Sequence, residues 1–321
     1  MSAASDLVLP PELVTRFKAA LERLNPGDGK IGLAVSGGPD SLAMLLLAHA
    51  AIPGGFEVAT VDHGLRPEAK DECALVAAAC AERGVVCAVL GVNLGVGNVQ
   101  AMAREARYVA LGDWADHNHL AAVATAHHID DQAETLLMRL NRGSGVAGLA
   151  GVRERRAMDG RAACLIRPLL EFRRSDLATV IATAGVKVAS DPSNFDTRFD
   201  RVRMRGELAQ ANWLDPVALA QSASNLADSL EALQDFAQVL WGQQVRQLGD
   251  AYTLIPTSSR EMNRRLLANI LQRFGGRPRG GDVARLLDLL TRGEGGNVAG
   301  VLATVEGDRW LLRPEPPRRT G

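Results

Sequence analysis

Lysine is scarce in this chain. Four of the 36 basic residues are lysine and the rest arginine, and the whole chain carries a net charge of only -1. A balance of that kind excludes reading any partner from net charge alone. Cysteine is also scarce: Cys73, Cys80, Cys87 and Cys164 contain no CxxC pair, which argues against zinc and disulfides and for a reducing compartment. No segment offers about 18 consecutive apolar residues. The N-terminus, MSAASDLVLPPELVTRF, has no basic region leading into an apolar one. A spanning helix and a secretion signal are thereby excluded, and a soluble, cytoplasmic protein is expected. A GxxxxGK[ST] run is missing too, because Lys30 follows Gly29 but precedes Ile31. That excludes a Walker-type phosphate loop.

What is present is another kind of glycine-rich turn. Residues 31–41 read IGLAVSGGPDS, an apolar run ending in Gly37 and Gly38 and reopening into Leu42-Ala43-Met44-Leu45-Leu46-Leu47. The pattern predicts a buried strand, an anion-holding loop and a helix. The glycines permit positive φ and close approach of backbone N–H groups, and Ser36 and Ser41 add hydroxyl donors at a helix opening that favours negative charge. Hydrophobic periodicity predicts a helix over residues 11–24, strands over 56–61, 85–90 and 120–126, and helices over 67–83 and 99–118. Alternating strands and helices predict an α/β fold, a parallel sheet with helices on both faces. Ligands of such sheets bind beyond the carboxyl ends of the strands. That is where Asp62-His63-Gly64-Leu65-Arg66 and the run from His127 to Thr135 fall. With Asp130 capping a helix to residue 140, Asp131 and Glu134 share a face, and carboxylates so close to phosphate call for a cation between them.

Ser36-Gly37-Gly38-Pro39-Asp40-Ser41 resembles the SGGxDS loop of the N-type ATP pyrophosphatases, the PP-loop proteins. The resemblance implies ATP cleaved between its α and β phosphates, pyrophosphate held by residues 36–41, and Mg2+ beside Asp40. Further motifs follow in order: Val61-Asp62-His63-Gly64-Leu65-Arg66, Ala126 to Thr135 (AHHIDDQAET), Gly143 to Leu149 (GSGVAGL), Arg167-Pro168-Leu169-Leu170 and Asp191-Pro192-Ser193-Asn194. A final run reads Phe199-Asp200-Arg201-Val202-Arg203-Met204-Arg205. Together they resemble the tRNA(Ile)-lysidine synthetase family over residues 30–205. Two positions depart from its pattern: Phe199 stands where that family favours Tyr, and Val202 where it favours Asn, while Arg201, Arg203 and Arg205 remain.

The narrower resemblance implies a ligase that joins L-lysine to C2 of the wobble cytidine of tRNA(Ile) with a CAU anticodon, through an adenylated cytidine. Asp40 would position Mg2+ and pyrophosphate, with His63 a further nucleotide contact. Asp131 and Glu134 would hold the lysine ammonium, His127 would contact nucleotide or base, and Arg107 and Arg205 would stabilise phosphate charge. A homodimer is left open.

Charge is unevenly spread. Residues 1–152 carry net -6, residues 153–205 net +5 and residues 206–321 net 0. Arginine suits bidentate phosphate contact, though a GC-rich genome would give the same bias. Arg153 to Arg156 are expected in an exposed hairpin whose return strand is 163–166. Helices are expected at 173–184 and 198–211. A long helix at 216–248 would bridge from a catalytic domain, 1–215, to a small tRNA-binding domain, 216–321. There, helices at 260–274 and 282–290 precede a hairpin across Gly307, and Arg273, Arg277, Arg279 and Arg285 offer a basic patch. The length accommodates two domains at roughly 100 to 200 residues each. Two other readings compete: a PP-loop tRNA thiolase, which needs a suitably placed cysteine set, and a metal-dependent phosphohydrolase built on His127, His128, Asp130 and Asp131.

Overall fold

Two sheets organise the molecule. The computed structural model describes residues 9–62, 64, 68–92, 99–189, 196, 198, 200–276 and 278–315, in two compact units, 1–227 and 228–321. In the first unit the strands β1 (Ile31–Ala34), β2 (Phe56–Asp62), β3 (Cys87–Gly91), β4 (Ala122–Ala124), β5 (Arg155–Ala157) and β6 (Cys164–Ile166) form one sheet in the order β3-β2-β1-β4-β6-β5. All neighbours are parallel except the β5–β6 edge pair. β1 is buried along its whole length, as expected of a central parallel strand.

Helices cover both faces. α1 (Pro11–Leu24) buries Leu13, Phe17, Leu21 and Leu24, one face at helical spacing. α2 (Pro39–Ala51) buries every residue from Ser41 to Ala48, because it lies between the sheet, α1 and α7 (Arg174–Ala184). These helices and α3 (Glu68–Ala81) share one core with β1, around Phe17, Leu45, Val76 and Phe172. α4 (Val99–His117) closes the other face through Leu111 and Trp114. Gly32 of β1 is fixed by that packing, since a Cβ there would lie 2.3 Å from the Trp114 ring. α5 (Ile129–Leu140), the short α6 (Val146–Leu149) and α8 (Asp200–Gln210) complete the unit before the long α9 (Pro216–Gln244).

The second unit wraps α10 (Arg260–Arg273) and α11 (Gly280–Thr291) onto an antiparallel sheet of order β7-β8-β11-β10-β9. Its strands are β7 (Val245–Leu248), β8 (Ala251–Leu254), β9 (Gly296–Val298), β10 (Val301–Glu306) and β11 (Arg309–Pro314). Leu266, Ile270, Leu286, Trp310 and Leu312 form its core.

Two local expectations are corrected. The helix from Pro216 ends at Gln244, and residues 245–248 pair instead with β8 across Gly249-Asp250, a two-residue turn suited to a hairpin. The cap of α5 is His128, not Asp130: Asp130 lies inside the first turn. All four cysteines are free. Among the described residues no helix is long and apolar enough to cross a membrane.

Candidate active site

The turn after β1 is held open by its own hydrogen bonds. Ser41 Oγ accepts from the Ser36 N–H (3.1 Å) and donates to the Gly38 carbonyl (3.0 Å), and the Ser36 and Ser41 hydroxyls lie 3.3 Å apart. Gly37 has φ +83°, and a Cβ there would approach Ala189 Cβ to 3.3 Å and the Glu72 carbonyl to 3.4 Å. Pro39 fills the first helical position, where its missing N–H costs nothing. The loop therefore presents backbone and hydroxyl donors at a helix N-terminus, a seat for an anion. Beside it a cavity of about 60 Å³ is lined by Ala34, Ser36, Ala59, Val61, Cys73 and Arg107. Burial lowers the Arg107 pKa from its ordinary value, but a guanidinium stays charged in proteins.

The start of α5 brings Asp130, Asp131 and Glu134 to the other side, facing Asp40 of α2. His128 is fully buried. Its Nε2 lies 3.4 Å from Asp40 Oδ2 and 3.6 Å from Asp131 Oδ2, and its Nδ1 lies 3.4 Å from Asp130 Oδ2. These are ion-pair distances rather than well-aligned hydrogen bonds, and neither ring nitrogen makes one. Burial opposes charge on the ring, but Asp130 and Asp40 outweigh it and push its pKa up to about 9. Burial likewise works against the Asp130 charge, yet His128 and the Arg174 N–H bring that carboxyl to about 2. The same N–H, 2.8 Å from Asp130 Oδ2, ties the start of α7 to α5.

Glu134, 1% exposed, holds three arginines. Its Oε1 accepts from Arg174 Nη2 (3.1 Å) and Arg205 Nε (3.0 Å), and its Oε2 from Arg201 Nε (2.8 Å). Arg201 Nη2 reaches on to Asp131 Oδ1 at 2.6 Å. Burial disfavours the Glu134 charge, but the bonds from Arg201 and Arg205 hold the carboxyl below its ordinary range. His127 behaves oppositely to its neighbour. Burial, followed by Arg167, Arg104, Arg201 and Arg107, lowers its pKa to about 2, so the ring is neutral, with Nδ1 3.1 Å from Thr125 Oγ1.

Of the residues singled out from sequence, Ser36, Gly37, Gly38, Pro39, Asp40 and Ser41 form the loop. Asp40 meets Asp131 through His128, and Glu134 joins through Arg201. Arg107 lines the cavity, Arg205 rests on Glu134, and His63 lies outside the described residues. Sequence reasoning named His128 and Asp130 only as ligands in the competing phosphohydrolase reading, and missed Arg174 and Arg201 as site residues. Arg201 was signalled by its spacing, one turn before Arg205 on the same helix; Arg174 carried no such signal. Elsewhere, Arg156 sits 5.5 Å over the Tyr108 ring, Arg273 4.7 Å over Trp241, and Arg285 pairs with Asp282, while Arg277 lies outside the described residues.

The PP-loop domain family model matches residues 11–212. A tRNA(Ile)-lysidine synthase of Novosphingobium aromaticivorans is 43% identical over 311 residues, covering 95% of each chain. The chain belongs to the tRNA(Ile)-lysidine synthase family. That family is also represented by a Zymomonas mobilis protein, 37% identical over 97% of each chain. A Ruegeria pomeroyi protein of the same description is 40% identical over 93% of this chain and 74% of its own. Among solved structures, the U34-tRNA thiolase NcsA from Methanococcus maripaludis superposes with a TM-score of 0.54 over 70% of this chain and 80% of that one, at 18% identity. This last likeness shows a shared fold. ATP use follows from the PP-loop domain, and the lysidine synthase family is one of tRNA-modifying ligases.

Proposed function

We propose that this chain ligates L-lysine to C2 of the wobble cytidine of tRNA(Ile) bearing a CAU anticodon, consuming ATP. The observation that carries the reading is a cation-binding acid pair, Asp131 and Glu134, joined through His128 and Asp40 to an anion-binding loop. An ammonium seat beside a phosphate seat is what the two steps require.

In the first step the cytosine O2 attacks the α-phosphate of ATP, forming the O–P bond and releasing pyrophosphate. The loop donors at residues 36–41 and the Arg107 guanidinium stabilise the charge that develops there. In the second step the ε-amine of lysine attacks C2, and AMP leaves with the former O2. Only the unprotonated amine is a nucleophile. Glu134, kept ionised by its arginines, anchors the ammonium, and Asp131 accepts a proton. His127, neutral, contacts nucleotide or base without adding charge. Magnesium fits the residues present: Asp40 offers a hard carboxylate, 35% exposed, at the loop, and this ion ordinarily completes its shell with phosphate oxygens and water. When bound, it would neutralise phosphate charge.

A thiolase is not favoured, because the relatives matched over nearly the whole chain are lysidine synthases. A phosphohydrolase centred on His128 lacks a ligand set: among the described residues no three His, Cys, Asp or Glu side chains are grouped to hold a metal. The test is incubation with tRNA, ATP, Mg2+ and labelled lysine, omitting each in turn. Label in the cytidine only with the full set is the expected result. Sulfur incorporation, or ATP hydrolysis without tRNA as the main activity, would overturn it.

A further inference from the structure

Arg201 stands between two fields. On one side its Nε and Nη2 fill Glu134 Oε2 and Asp131 Oδ1, at 2.8 and 2.6 Å. On the other, it is one of the cations, with Arg104, Arg107 and Arg167, that add to burial in lowering the His127 pKa. The remaining carboxylate oxygens are also engaged. Glu134 Oε1 takes Arg174 and Arg205, and Asp131 Oδ2 takes the His128 backbone N–H at 3.1 Å. Among the described residues, Asp131 and Glu134 are thus both fully engaged, by Arg174, Arg201 and Arg205 and by the His128 backbone.

An incoming ammonium therefore finds its two converging acceptors, Glu134 Oε2 and Asp131 Oδ1, already occupied by Arg201. A further cation beside three arginines on the same two acids is costly, so one resident cation must withdraw. Arg174 and Arg205 share the far oxygen of Glu134, and His128 is fully buried. Among the described residues Arg201 alone bridges the two acids; its side chain is 40% exposed, leaving it room to swing. What can draw it off is a stronger anion, such as a phosphate of the nucleotide seated at the loop of residues 36–41.

We propose that Arg201 is a latch on the amine site, a resident stand-in for the lysine side chain that nucleotide binding pulls away. The idea rests on the lysine-ligase reading. It adds an order of events: lysine binds well only after the nucleotide is in place, so the amine meets an activated base. A shift of this kind requires the anion to interact differently with the latched and released states, which a guanidinium free to leave the acids for a phosphate would supply.

The test is equilibrium binding of labelled L-lysine to the intact protein, with and without an ATP analogue whose α–β bridge cannot be cleaved. The wild type should bind lysine about tenfold tighter with the analogue, within the usual range for coupled sites, and lysine should tighten the analogue by the same factor. Arg201→Gln should bind lysine with the higher affinity in either condition, whereas Arg174→Gln should retain the coupling. Equal lysine affinity in the wild type with and without the analogue overturns the latch, whether or not the variant folds. Coupling unchanged in a folded Arg201→Gln protein overturns it too. Lysidine formed without coupling refutes the latch alone; failure to form lysidine at all refutes the ligase reading beneath it.

Discussion

His128 Nε2 lies 3.4 Å from Asp40 Oδ2, and this contact joins the first turn of α2 to the cap of α5. The imidazole is buried among three carboxylates, so its positive charge is what lets Asp40, Asp130 and Asp131 stand together. Replacing it by His128→Asn leaves Asp40, Asp130 and Asp131 without the cation they share, with Arg201 remaining on Asp131 and the Arg174 N–H on Asp130. A loss of about 3 kcal/mol or more in unfolding free energy is expected, as for other broken buried pairs. Urea denaturation at pH 7 measures it, and a variant as stable as the wild type would show the acids to be held by other means.

His127, one residue earlier, is held neutral, with its pKa lowered to about 2 from an ordinary 6.5. Its ring signals should not titrate between pH 5 and 8 in an NMR series. In the unfolded chain the same ring gains a proton below about 6.5, so this residue contributes stability above that pH that is lost as pH falls. His127→Asn should flatten that part of the stability profile. A ring titrating near 6.5 in the folded protein would contradict the burial described.

How much of this was legible beforehand depended on the length of the pattern. α1 could be read to the residue because Leu13, Phe17, Leu21 and Leu24 repeat on one face over fourteen residues. The loop at residues 36–41 was legible because glycine, proline and serine each have one mechanical use there. β7, β8 and β9, three or four residues each, leave too few positions for a period to emerge. The partners of the acids were hidden for another reason. Arg201 is 70 residues from Asp131, and only the packing of α8 on α5 decides which arginine arrives there. His127 rather than His128 was given the nucleotide-contact role because the two differ in environment, not in sequence context.

Gly37 tests the loop. Its φ of +83° lies in the left-handed region, and an added Cβ would press on Ala189 and the Glu72 carbonyl. Gly37→Ala should cost about 1 to 2 kcal/mol of conformational strain. Because relaxation of that strain would move the Ser36 and Gly38 amides, binding of a fluorescent ATP analogue should weaken more than stability alone accounts for. Unchanged affinity would separate the loop from the nucleotide.

Glu134 offers a pH signature. Burial penalises its charge but the Arg201 and Arg205 bonds prevail, so the folded pKa lies below the ordinary 4.5. Its contribution is fully present above pH 4.5 and is lost as pH falls through the depressed folded value. Glu134→Gln should lose about 3 kcal/mol at pH 7, the scale for unpairing a buried ion. The gap between wild type and variant should narrow in acid below pH 4.5. A gap constant with pH would show that the loss comes from packing rather than from charge.

Asp131 separates the two half-reactions. It accepts Arg201 Nη2 at 2.6 Å and the His128 N–H at 3.1 Å, and sits one helical turn from Glu134. Asp131→Asn keeps the shape and one acceptor oxygen but removes the base, so the amine of lysine cannot be deprotonated locally. Lysine transfer should fall by at least about 100-fold, the lower end of what a positioned base contributes. Adenylation of the tRNA needs the loop and arginines instead and should be retained at least in part. The measurable consequence is adenylated tRNA accumulating from α-labelled ATP in the presence of lysine. A variant that forms lysidine at the wild-type rate would remove Asp131 from this role. A variant that fails to adenylate tRNA at all would mean that its ion pair with Arg201 serves the first step as well.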